Sequence, residues 1–331
     1  MNFTNETFYP LDYWFSLFGY PYTADVIFGY VITPIWFLSS SFSLFSLFIL
    51  LKTPFFASHF FSYMRLYVAN CLVLSLLGLT TILASTHQIF SVTNTYEVVF
   101  CAINLLWLEN SLLLFSSCIE ICLVVERVLY LLPAGFSRIK LISFKKFFFI
   151  SFIFCILVNF PGGLLLEPAF ADIQLDPNTP YRIWYIGPTT FSFSLTGEIL
   201  NYLGYLFRDI LPMILKIIIN SVSIYLVGKY VKNKQRIVVS TTIANIHLVS
   251  FDRKQTYIAL AMSTFSLLEH SLYIASYVLV FISYFEVSTL VYAFALLFIA
   301  IKHLLIFFIL WTFNSLFRNE VRIFFRRVLA K

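Results

Sequence analysis

Charge is what this chain most lacks. Only 11% of its 331 residues are Asp, Glu, Lys or Arg, under half the share of a soluble globular domain, so a water-solvated surface of ordinary composition is excluded. Cysteine is also scarce: five are scattered along the chain, which rules out a disulfide scaffold. Ten glycines are too few for a Gly-rich low-complexity segment. No GxGxxG, GxxxxGK[ST], GxSxG or HExxH occurs, so nucleotide-binding, hydrolase and metalloprotease chemistry lack their usual signatures. The expectation is a protein that is not an enzyme and that needs no cofactor, no metal and no nucleic acid.

What fills the chain instead is hydrocarbon. Sixty per cent of residues are apolar, with forty Phe and twenty Tyr, and the mean hydropathy is +0.88. A bilayer core about 30 Å thick takes roughly 20 apolar residues per helical crossing, and seven stretches qualify: 26–51, 62–86, 98–131, 146–170, 199–228, 255–284 and 288–313. A basic amphipathic tail follows, NSLFRNEVRIFFRRVLAK, with Leu316, Val321, Phe324, Phe325 and Val328 near helical spacing. The expected fold is therefore all-α, a seven-transmembrane bundle over 26–313, preceded by an extracellular segment 1–25 and followed by a cytosolic amphipathic helix and tail, 314–331.

The cations set the orientation. With the amino terminus outside, inner segments hold 18 of the 22 Lys and Arg, and of the loop cations only Arg182 falls outside, as the positive-inside rule requires. Nine acids, from Glu6 to Glu286, lie on the outer side. The sequons at Asn2 and Asn5 agree independently, because glycosylation needs the lumenal side. A multi-pass plasma-membrane protein with an extracellular amino terminus is expected. No basic n-region precedes the first span, so no cleavable signal is expected, and no internal repeat of the inverted-transporter kind is visible. In the longest outer loop, 167–198, the segments YRIWYI and TTFSFSL around Gly187-Pro188 are the pair expected to form a hairpin lid.

Several charged side chains fall at bilayer depth, where each costs at least about 2.5–3.5 kcal/mol unless paired or wet. Glu109, Glu120 and Arg127 are separated by 11 and 7 residues, which puts them within about 20° of one helical stripe. Glu109 then lies about 27 Å above Arg127. Arg208, Asp209 and Lys216 flank Pro212 in the fifth span, Glu269-His270 lie in the sixth, and Lys302-His303 in the seventh. These charges nearly cancel, so mutual pairing is the simplest reading. Cys71, Cys118, Cys122 and Cys155 lie within spans as apolar filler.

Glu126-Arg127 at the inner end of the third span resembles the Glu/Asp-Arg-Tyr motif of rhodopsin-like G-protein-coupled receptors. Cys101, 26 residues before Arg127, Pro133, Pro212 and the NSLFRNEVRIFF segment match the family's pattern as well. The chain departs from it at Val128, where the motif has tyrosine, and at Ser75, where the family keeps a sodium-binding aspartate. FSLLEH (265–270) replaces Phe-x-x-Cys-Trp-x-Pro, Ile306 to Leu310 replaces Asn-Pro-x-x-Tyr, the fourth span has no tryptophan, and loop 167–198 has no cysteine for Cys101. This pattern is similar to that of divergent nematode-type chemoreceptors.

The resemblance implies a receptor that passes an extracellular small-molecule or peptide signal to a heterotrimeric G protein through Glu126 and Arg127, with Asp252 as resting partner of Arg127. It brings Glu269 and Lys302 to facing positions as a buried ion pair. Ligand-contact candidates are Glu109, which falls at the offset where amine receptors keep an aspartate, with Trp107, Asn110, Tyr205, Arg208 and Glu269. Lys302 also raises a light receptor, but it lies four residues before Ile306 where the opsin lysine lies six before its asparagine, which turns the side chain by about 200°. The rival class is a seven-helix proton- or ion-coupled transporter or channel, since buried acids, lysines and histidines also build proton relays. Membrane lipids are the remaining expected partner, through the basic tail.

Overall fold

A computed structural model describes residues 31–52, 59–85, 107–131, 143–164, 166–176, 179–237, 243–282 and 285–329. The elements run α1 (Thr33–Lys52), α2 (His59–Ser85), α3 (Asn110–Leu131), α4 (Phe144–Leu164), β1 (Leu166–Asp176), β2 (Thr179–Pro188), a 3-10 turn (Thr190–Phe193), α5 (Leu195–Tyr205), a π-helical turn (Leu206–Ile210), α6 (Leu211–Ile237), α7 (Ile243–Phe281), α8 (Phe285–Phe313) and α9 (Ser315–Leu329). The expected fifth span is thus α5 and α6 joined by the π turn, the sixth is α7, the seventh is α8, and the tail is α9. Asn2, Asn5 and Cys101 lie outside the described residues.

Among the described residues six helices are long and apolar enough to cross a membrane: Thr33–Lys52, His59–Thr80, Phe144–Pro161, Leu195–Lys229, Lys254–Leu279 and Leu290–Phe313. The chain is a multi-pass helical membrane protein. Its outer faces are apolar, with Phe37, Phe48, Phe149, Ile153, Leu157, Ile217 and Ile224 exposed, while Glu120, Lys216, Glu269, Lys302 and a set of serines are buried. That inversion of the soluble pattern is what hydrocarbon surroundings demand. The six exclude α3, whose Glu120, Glu126 and Arg127 are too costly for a lipid-facing helix. It has company on every side instead, packing against α2, α4, α6 and α7, while α8 closes the ring by packing on both α7 and α1. The stripe read from the sequence faces inward as expected: Glu109, Glu120 and Arg127 are all buried.

Polar side chains tie the helices at defined levels. Asn70 of α2 donates to the Leu112 carbonyl of α3 at 3.0 Å, and Arg65 Nε donates to the Leu50 carbonyl near the end of α1 at 3.1 Å. Pro212 explains the π turn. Proline lacks an N–H and its ring collides with the carbonyl four residues earlier, here that of Arg208, so the preceding turn widens. The wider turn brings adjacent Arg208 and Asp209 both toward the interior, with Asp209 buried.

Two expectations need correction. The fourth helix ends at Leu164 rather than 170, because Pro161 is followed by Gly162-Gly163, a weak continuation for a helix, and the chain turns into strand. The hairpin also forms in another register. YRIWYI pairs with the upstream segment, Phe170 opposite Trp184 and Asp172 opposite Arg182, with Asp176 opposite Thr179. TTFSFSL is unavailable to it: Thr189 accepts from Ser192 N at 3.3 Å and Ser194 Oγ accepts from Gly197 N at 3.1 Å, capping the 3-10 turn and α5.

After Asn314 caps it through Phe317 N at 3.1 Å, α9 folds back beneath the bundle. Phe317 and Val321 are buried, Phe324 meets Phe45 and Phe48 of α1, and the arginines lie along the other side.

The α1–α2 seam leaves one position without tolerance. A Cβ on Gly78 would stand 2.9 Å from the Trp36 ring, and Trp36 is fully enclosed. Gly78→Val should destabilise the protein by about 1–3 kcal/mol through overpacking, read as a lower unfolding midpoint in detergent, and pairing it with Trp36→Leu should recover part of the loss.

Candidate functional site

The centre of the bundle is a charged cluster. Glu120 of α3 lies 2.6 Å from Lys216 Nζ of α6 and 3.5 Å from Lys302 Nζ of α8, and accepts from the Tyr67 hydroxyl of α2 at 2.6 Å. Lys302 also pairs with Glu269 of α7. Two carboxylates and two ammonium groups, none more than 3% exposed, thus join α3, α6, α7 and α8, and Tyr67 adds α2. Neutrality of the set is what makes it tolerable: idealised desolvation of each ion costs far more than a folded domain's whole stability margin unless partners answer it.

Lys216 carries the cluster outward. Its ammonium also reaches Ser117 Oγ at 3.0 Å, Ser266 Oγ and His270 Nε2 at 3.3 Å. The other ring nitrogen of His270, Nδ1, faces Asp209 Oδ1 at 3.6 Å. Asp209 holds Arg208 Nε at 2.9 Å, and Arg208 Nη2 donates to the Tyr277 hydroxyl. The guanidinium lies 5.3 and 5.6 Å from the Tyr205 and Tyr277 rings. A parallel strand of polar contacts runs through Ser75, which joins Ser39 at 3.0 Å and His303 Nδ1 at 3.2 Å.

At the inner end of α3, Arg127 pairs with Glu126 at 3.2 Å, donates to Gln255 Oε1 of α7, and lies 4.7 Å over the Phe60 ring of α2. Gln255 is the partner that sequence reasoning missed. The expected one, Asp252, lies one turn away on the same helix, and its side chain is outside the described residues.

The ligand-contact candidates separate into groups. Tyr205 and Arg208 share one stack with Tyr277, whose ring centroid is 4.4 Å from that of Tyr205. Trp107 engages α4, donating to the Ile156 carbonyl at 3.3 Å and packing edge-on to Phe160. Asn110 is half-buried on the first turn of α3. Glu269 is committed to Lys302. Glu109 is not paired with Arg208, which Asp209 has taken. Tyr67 and the joint hold of Glu120 on two lysines had no sequence signal beyond the count of buried charges.

No protein-family model and no curated protein sequence matches the chain. Among solved structures it is similar to squid rhodopsin, with a TM-score of 0.60 over 95% of this chain and 87% of that one, at 11% sequence identity. At that identity the likeness establishes the fold, a rhodopsin-type helical bundle, and no more.

The cluster geometry ranks its members. Glu269→Gln leaves Lys302 beside Glu120, whereas Glu120→Gln leaves Lys216 with no carboxylate. Removing one member of a buried pair costs about 3–5 kcal/mol. Single substitutions Glu269→Gln and Lys302→Met should lower surface expression, Glu120→Gln should lower it further, and Glu269→Gln/Lys302→Met should recover most of the loss. Surface labelling that finds the double variant no better than the singles would refute the pairing.

Proposed function

We propose that the chain is a G-protein-coupled receptor with seven crossings and its amino terminus outside. In this reading it passes an extracellular small-molecule or peptide signal to a heterotrimeric G protein through Glu126 and Arg127. The observation that carries the reading is Arg127 at the inner end of α3, held by a side chain from α7. A buried guanidinium is expensive, and its holders here include an adjacent carboxylate, a neutral amide and an aromatic face. Moving the inner part of α7 outward removes the Gln255 bond, and a cytosolic partner protein supplies an acceptor in its place. Length favours such a motion: α7 has 39 residues and so runs about 58 Å, nearly twice the bilayer core, which leaves its inner end available to a partner.

The remaining assignments follow. Asn2 and Asn5 carry glycans on the outer side, the protein works at the plasma membrane, and Asp252 joins Gln255 as a resting contact of Arg127. The arginines of α9, Arg318, Arg322, Arg326 and Arg327, attract the anionic inner leaflet at about 1 kcal/mol each. Nematode-type chemoreceptors are the nearest functional analogy. Ion-coupled transport would draw on the same buried charges, but it has no use for Arg127.

G-protein reporter assays at matched surface levels test this. Arg127→Ala should abolish basal output. Glu126→Gln and Gln255→Leu should each raise it; a hydrogen bond to a charged group is worth about 1.5–3 kcal/mol, so the resting-to-active ratio should fall roughly ten-fold or more. Basal output that ignores all three changes, or ionic current that survives Arg127→Ala, would remove the receptor reading.

A further inference from the structure

We infer that the ligand is dipolar: a cationic amine at one end and a carboxylate at the other, separated by a short flexible chain and held between Glu109 and Arg208. This rests on the receptor reading.

Glu109 supplies the first end. It is 7% exposed, and among the described residues it has neither a hydrogen-bond nor an ion-pair partner. Every other carboxylate of the bundle interior is answered: Glu120 by two lysines and Tyr67, Glu269 by Lys302, Asp209 by Arg208. A fold that matches its interior charges so closely leaves one carboxyl group open, and burying it without a partner is costly. Among the described residues the nearby cations are spent, Lys216 and Lys302 near the centre and Arg208 on Asp209. An ammonium brought from outside completes the set.

Arg208 supplies the second end. Of its five N–H groups, Nε goes to Asp209 and one Nη2 hydrogen to Tyr277, which leaves the outer edge of the fork uncommitted. Tyr205 and Tyr277, stacked on each other at 4.4 Å, lie together beside the guanidinium, and the Tyr277 hydroxyl helps to hold it. A held planar fork suits a carboxylate, which can take two parallel N–H bonds. Because Asp209 occupies the Nε side, the ligand adds to that pair without displacing it.

Spacing bears on the length of that chain. Glu120 and Lys216 are in contact at 2.6 Å. Glu109 is eleven residues before Glu120, and Arg208 eight before Lys216 on a span running the same way. At 1.5 Å per residue Glu109 lies roughly 4–5 Å further out. Methylenes between the amino and carboxyl groups let one ligand cover that offset, and the best-fitting length reads the gap between the two side chains. A tyrosine wall lies along the same level, Tyr277 to Tyr273 at 6.3 Å and Tyr273 to Tyr292 at 5.7 Å between centroids, offering ring faces to the methylenes and to the ammonium.

The test is thermal unfolding of the full-length protein in lipid nanodiscs with three probe series: ω-amino acids of increasing chain length, n-alkylamines and n-alkyl carboxylates. One or two intermediate ω-amino acids should raise the midpoint with at least ten-fold higher apparent affinity than the amine or carboxylate of equal length. Glu109→Gln should reduce that affinity to the carboxylate's level, and Arg208→Gln to the amine's. Should Arg208→Gln fail to fold with Asp209 unpaired, Arg208→Gln/Asp209→Asn serves in its place. An amine that binds as tightly as the ω-amino acid and is indifferent to Arg208 overturns the proposal, as does stabilisation that survives both substitutions or no stabilisation by any length. Dipolar binding without Arg127-dependent signalling would sink the receptor reading and leave the site; signalling without dipolar binding would do the reverse.

Discussion

A carboxylate at the centre of a membrane bundle must be answered by its neighbours, and the answer to Glu120 determines how the other helices sit. Lys216 and Lys302 reach it from α6 and α8, and Glu269 then neutralises Lys302 from α7. Lipid offers no hydrophobic drive to bring helices together, so polar contacts of this kind carry much of the information about which faces meet. The cluster is also intolerant of partial failure. Any helix that leaves takes one charge and strands another, so the cluster holds its helices together as a set.

Much of this was legible in the sequence because charge in a hydrocarbon chain is conspicuous. Glu109, Glu120 and Arg127 declare the buried face of α3 by spacing alone, and the resemblance to rhodopsin-like receptors sets Glu269 against Lys302. The resemblance to rhodopsin-like receptors located the same fold that squid rhodopsin shares. What stayed hidden was whatever carries no charge. Tyr67 and Gln255 are ordinary residues of their helices until the fold puts a carboxylate and a guanidinium beside them. The hairpin register was misjudged for a similar reason: alternation in YRIWYI fits a partner on either side, and only the capping roles of Thr189 and Ser194 remove the downstream choice.

The π turn before Pro212 gives the outer half its chemistry. Arg208 and Asp209 leave this turn both on the inner side, so Asp209 holds Arg208 at 2.9 Å and faces His270 at 3.6 Å. Tyr205 and Tyr277 are stacked beside the guanidinium, and His270 lies between Asp209 and Lys216, the latter at 3.3 Å.

That sequence of links bears on how an event near Arg208 would be felt at Arg127. The path is Arg208, Asp209, His270, Lys216 and Glu120, after which α3 itself runs seven residues, about two turns, to Arg127. Spatial intermediacy alone does not make a pathway; in the receptor reading, what would give this one physical content is that separating any charged member strands its partner. His270 and Gln255 both belong to α7, one near the outer end of the chain of contacts and one on Arg127. A rigid α7 displaced at His270 would then carry Gln255 with it.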